Sequence, residues 1–206
     1  MMISSLLSSP RIDWQRKYRA RYARTKVDIL RSFYQQSLPP PSCPLKEITF
    51  LAVDFETTGL DQANDEIITI GVVPFTLDRI YLNQAKHWLV KPRKVLNESS
   101  VVIHGITHSD IRGAPDLNQF IAEILTTMQG RVMVAHYHMI ERYFFDREVR
   151  ERLGEGVEFP IIDTMQLEQV VVEKNYGGLL NRLKGKRKPS VRLGACRSRY
   201  GLPIYP

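Results

Sequence analysis

The sequence predicts an α/β protein: a mixed five-stranded sheet flanked by helices, with an N-terminal helical extension. Three observations carry that reading. Runs rich in Ile, Val and Phe at 48–54, 66–75 and 79–90 follow one another across short connections, the pattern of an antiparallel meander. Shorter apolar runs at 131–135 and 159–162 each follow a helical stretch, which favours parallel pairing beside the first strand. A chain of 206 residues, 43% hydrophobic and 25% charged, can bury a core of its own, and no run approaches the ~18 apolar residues of a membrane span.

The helices follow in order. Residues 11–36 read as one helix, because Trp14, Tyr18 and Tyr22 recur every four residues and Val27, Leu30 and Tyr34 prolong the stripe. Leu38-Pro39-Pro40-Pro41 ends it as a stiff linker, separating an extension, 1–45, from a domain, 46–206. The aromatic stripe is expected to pack on that domain. A helix over 116–128 stops at Gly130, and one over Met139–Leu153 turns Ile140, Phe144 and Val149 inward. Asp163 with Gln166 has the form of a capping box opening a helix over 165–172.

The chemistry concentrates at Asp54-Phe55-Glu56-Thr57-Thr58-Gly59, behind the first apolar run. Side chains alternate along a strand, so Asp54 and Glu56 share a face and repel each other. Hard cations such as Mg²⁺ or Mn²⁺ are held by one or two carboxylates plus substrate phosphates, which gives the pair a reason to exist. The alternative is a strand end that surfaces into a solvated turn.

Charge is unevenly placed. Residues 11–31 carry eight basic side chains against Asp13 and Asp28, and 174–206 carry nine with no acid, leaving the middle net acidic. An acidic centre suits a cation and basic ends suit a polyanion, the alternative being faces that are merely solvated. Residues 185–188, in a Gly/Pro-bounded loop, are expected to touch phosphate. Cys43 and Cys196 are too few for a disulfide framework and fit no zinc spacing, and 1–10 makes a poor secretion signal, so a reduced cytoplasmic setting is expected.

Together these residues resemble a known family. Asp54-x-Glu56-Thr57-Thr58-Gly59 is similar to the first motif of the DEDDh-type 3′–5′ exonucleases, which have a ribonuclease H-like fold. Ile103-His104-Gly105-Ile106-Thr107, Val134-Ala135-His136, Ile162-Asp163-Thr164 and Tyr200-Gly201-Leu202-Pro203 resemble later segments, in the family's order. The nearest resemblance is to bacterial proteins like the proofreading epsilon subunit of DNA polymerase III. It implies two Mg²⁺ or Mn²⁺ ions, with Asp54 bridging both, Glu56 on the ion that carries the attacking water, and Glu141 anchoring the second directly or through water. It also implies that Thr57, Thr58 and Leu60 hold the terminal nucleotide, with His104 near it and His136 ordering the second-motif turn. The implied substrate is the 3′ end of single-stranded DNA or RNA, DNA favoured. The implied protein partner is a DNA polymerase or another replication or repair protein, with no role for a membrane.

Two departures qualify the resemblance. Glu141 stands where the second motif has Asp; Asp146 lies about 140° further round the helix and is a poorer match. The family's third motif, His-x₄-Asp after the Tyr-Gly-Leu-Pro segment, has no counterpart before Pro206, and the chain is expected to continue. That leaves a second functional reading: an impaired nucleic-acid-binding or polymerase-associated adaptor with the same fold.

Overall fold

The computed structural model describes residues 12–93, 106, 108–176 and 187–203. These form two compact units, one spanning Asp13–Ile162 and one holding Ile12 with the described residues from Asp163 onward.

The first unit opens with α1, Trp14–Arg24, and α2, Asp28–Gln35. The single helix expected over 11–36 is therefore broken. Thr25 and Val27 are extended, and their stretch is held by side chains: the Lys26 N–H donates to Glu155 at 2.9 Å and the Val27 N–H to the Thr25 hydroxyl at 3.3 Å. The break lets α2 fold back on α1. Tyr18 then meets Phe33 and Tyr34, with ring centroids 5.6 and 5.1 Å apart. Tyr18, Leu30, Phe33 and Tyr34 share one buried cluster with the strands, so the aromatic stripe does pack on the domain. Lys17 and Arg21 both pair with Glu158, whose N–H donates to the Tyr34 hydroxyl at 2.8 Å.

The sheet has the order β3-β2-β1-β4-β5, from β1 Phe50–Thr57, β2 Ile67–Phe75, β3 Lys86–Leu89, β4 Val132–Ala135 and β5 Ile161–Asp163. β1 runs antiparallel to β2 and parallel to β4, and β2 runs antiparallel to β3. The meander and the parallel neighbour are both as expected. The third strand is shorter than the run at 79–90, whose earlier part makes a single bridge at Ile80 and a 3-10 turn at Leu82–Gln84.

Alternation along β1 buries Leu51, Val53 and Phe55. Against them lies α5, Met139–Leu153, with Phe144, Phe145 and Val149 fully buried; Phe55 meets Phe145 edge-on at 6.0 Å. Fully burying such side chains is worth about 1.5–3 kcal/mol each before entropy, so this contact locks α5 to the central strand. Before it come α3, His108–Ile111, and α4, Ile121–Met128, preceded by a 3-10 turn capped by Asp116.

The second unit contains α6, Thr164–Tyr176, and α7, Leu193–Arg199. Asp163 caps α6 as expected, accepting from the N–H groups of Met165 at 2.8 Å and Gln166 at 3.4 Å. The Tyr200 hydroxyl donates to Glu168 at 2.7 Å, and Arg199 pairs with the same carboxylate. Among the described residues no helix is long and apolar enough to cross a membrane.

Candidate active site

The register of the parallel pair places the site. Leu51 faces Met133 and Ala52 faces Val134, so both strands end on the same side of the sheet. Asp54 lies two residues past that pairing, and β4 leads through His136 and Tyr137 into α5, which carries Glu141 in its first turn. In open α/β sheets, ligands bind outside the carboxyl ends of parallel strands. Tyr137 has φ +73, uncommon for a residue with a Cβ, and marks the sharp turn from strand to helix.

Asp54 and Glu56 come together on one face of β1. Opposite Asp54 in the register is Gly71, and beyond it on β3 is His87, so no side chain of β2 stands beside the Asp54 carboxyl. The register slips between Glu56 and Thr57, and such irregularities re-aim side chains beside binding sites. Asp54 is reachable by solvent, yet the protein around it displaces enough water to raise its pKa above the ordinary carboxylate range. Glu56 is raised too, first by its own burial and then by the charge of Asp54. No described basic side chain offsets either acid. Two hard oxygen donors in this state suit a divalent cation, which replaces lost hydration and cancels the repulsion.

The turn behind the pair is tightly bonded. The Thr57 hydroxyl donates to the Gly59 carbonyl at 2.6 Å; the Thr58 hydroxyl donates to Asp65 at 2.9 Å and accepts from the Glu66 N–H at 3.0 Å. Both threonines therefore build the turn. A Cβ at Gly59 would lie 2.4 Å from the Asp65 carboxylate, so a side chain there would require Asp65 to shift from its bond to Thr58. Leu60 is 76% exposed, an apolar tip beside the acids.

The other expected residues are placed differently. Glu141 is buried, 3% exposed, at the start of α5. Among the described residues no group of three or more His, Cys, Asp and Glu is arranged to hold a metal. His136 is half-buried in the turn between β4 and α5. His104 lies outside the described residues. Asp146 pairs with Arg150 at 2.9 Å and takes no part in the site.

Sequence reasoning missed the arginines around the turn. Arg147 on α5 donates to the carbonyls of Gln62 and Asp65, and Arg93 pairs with Glu66 and Glu151. Nothing in the local pattern around Arg147 signals this, because its partners lie more than eighty residues away.

This sheet order is that of a ribonuclease H-like α/β fold. A family model described as Exonuclease, of the RNase T type, matches residues 51–187, and the chain belongs to that family. The chain is 32% identical over 127 residues to a DNA polymerase III of PolC type from Thermotoga maritima, covering 62% of this chain and 9% of that protein. It is 30% identical over 141 residues to a DNA polymerase III subunit epsilon-like protein from Rhodobacter capsulatus, covering 68% of this chain and 20% of that one. Its fold is similar to E. coli exonuclease I in a crystal structure with a dT13 oligonucleotide, with a TM-score of 0.59 at 17% identity, over 76% of this chain and 36% of that one. The chain thus spans a minor part of the length of the curated relatives it matches.

Proposed function

We propose that this domain is a metal-dependent exonuclease that removes nucleotides from the 3′ end of single-stranded nucleic acid, DNA in preference to RNA. The observation that carries the reading is the Asp54–Glu56 pair: two desolvated, mutually repelling acids with no described basic partner, at the carboxyl end of the central strand of an exonuclease-family domain. The pair fits two Mg²⁺ or Mn²⁺ ions as oxygen donors, with Glu141 joining the set directly or through water. When bound, such ions supply a water of lowered pKa and neutralise charge on the phosphate. Leu60 abuts the terminal base, Thr57 and Thr58 keep the turn in place, His104 lies by the terminal nucleotide and His136 orders the second-motif turn. The catalytic boundary drawn at 46, a cytoplasmic setting and a replication or repair polymerase as partner belong to the same proposal; support for the last is the naming of the relatives.

A 5′-labelled single-stranded oligonucleotide incubated with Mg²⁺ or Mn²⁺ tests the reading. Stepwise shortening from the 3′ end, stopped by EDTA and absent in Asp54→Asn, supports it. The second reading is a binding adaptor with the same fold. Tight oligonucleotide binding without any shortening in either metal would establish that reading instead.

A further inference from the structure

The turn between β1 and β2 is exposed from Leu60 to Asn64, so apolar packing does not fix its position. A cavity of about 320 Å³ lies along it, lined by Ala63, Asn64, Glu66, Arg93, Arg147 and Glu151. What spans from turn to helix is a guanidinium. Arg147 reaches from α5 to the carbonyls of Gln62 and Asp65, while its other contacts hold it in place: Glu148 at 2.9 Å and Glu151 at 3.5 Å. A second guanidinium extends the link. Arg93 lies 3.3 Å from Glu66, at the end of the turn, and 3.7 Å from Glu148, and it also pairs with Glu151. Buried Glu148 is thus shared by both arginines and by Arg152.

We infer that Arg147 is a positioning residue for the substrate end: it clamps the turn to α5 so that Leu60 meets the terminal nucleotide in register with Asp54 and Glu56. The inference rests on the exonuclease reading above. An arginine is required because its planar fork serves two carbonyls and a carboxylate together, which the single ammonium of lysine does not. The clamp acts on substrate through Leu60, leaving the acids themselves untouched.

The test compares the parent with Arg147→Gln and Arg147→Lys on a 5′-labelled oligonucleotide and on bis(p-nitrophenyl) phosphate, a phosphodiester without a base. KM for the oligonucleotide is expected to rise about tenfold in both variants with kcat changed less than about threefold, the signature of lost positioning. Hydrolysis of the base-free ester should stay near the parental rate. Leu60→Ala added to Arg147→Gln should cost less than Leu60→Ala alone, because both act through one contact. Equal losses on the two substrates, full additivity, or a lysine variant that behaves as the parent would overturn the clamp. Hydrogen exchange gives a readout independent of activity. The amides of Thr58 and Glu66, bonded across the turn at 2.9 and 3.0 Å, should exchange about tenfold faster in either variant, with those of β1 inside the sheet unchanged. Unchanged exchange in the turn overturns the clamp. A parent that cleaves neither substrate refutes the exonuclease reading, and exchange then decides the clamp by itself.

Discussion

Asp54 and Glu56 at one end of the turn, and Glu66, Glu148 and Glu151 at the other, are the same kinds of side chain in two electrostatic settings. The first two face each other's charge with no described cation beside them, and both pKa values are raised. The other three sit among Arg93, Arg147 and Arg152, and Glu151 is held below its ordinary range, chiefly by its bond to Arg93. Burial by itself does not separate the groups, since Glu148 is 2% exposed and Asp54 is open to solvent. Compensation does. Acids matched with arginines hold elements together, and acids left unmatched in the same fold keep free energy available for a cation.

The comparison can be broken at several points. The largest effect is expected from Asp54→Asn: cleavage should fall about 10²-fold or more, since the lost charge stabilises the transition state through the metal. Its melting temperature should hold or rise in metal-free buffer, because a desolvated, repelled charge is gone. Normal cleavage by this variant, measured on the labelled oligonucleotide, would show that the unmatched pair is not the metal site.

Glu148→Gln should act in the reverse sense, lowering stability by about 2 kcal/mol in urea unfolding, because it removes the buried carboxylate that Arg93, Arg147 and Arg152 share. A change below about 0.5 kcal/mol would mean that the arginine network is decoration.

Acid should separate the two ends by sign. A carboxylate lowered on folding contributes stability above its unfolded pKa and loses it as pH falls through the lower folded value; Glu151 belongs here. A carboxylate raised on folding does the opposite: its ionised form weakens the fold above the raised value, and the penalty fades as pH falls through it, as for Asp54 and Glu56. Affinity for Mn²⁺, measured by titration calorimetry, should accordingly fall on acidification above the ordinary carboxylate range near ~4, because protons compete for the raised pair. An acid limb at the ordinary position would contradict the raised pair. The smallest effect is expected from Glu151→Gln, under about 1 kcal/mol in the same urea experiment, since this pair is partly exposed and screened by solvent.

The carboxylate pair was legible because a strand has a period of two, and two acids two residues apart must share a face whatever surrounds them. The helix over Met139–Leu153 was legible because Ile140, Phe144 and Val149 recur near helical spacing, although Glu141 and Glu148 share the buried face. The break at Thr25–Val27 was not, because the group that catches the Lys26 N–H is the side chain of Glu155, 129 residues on. Nor was the burial of Glu141 at the start of α5, which depends on the strands packed against that helix.

Local periodicity in the sequence by itself determined the order of strands and helices, the meander with its parallel neighbour, and the identity of the two acids at the strand end. These follow from backbone geometry that each segment carries alone. The tertiary structure decided which charges are matched. Whether an acid meets an arginine depends on distant segments arriving within a few ångströms, as Arg93, Arg147 and Glu66 do, and no spacing along the chain encodes that.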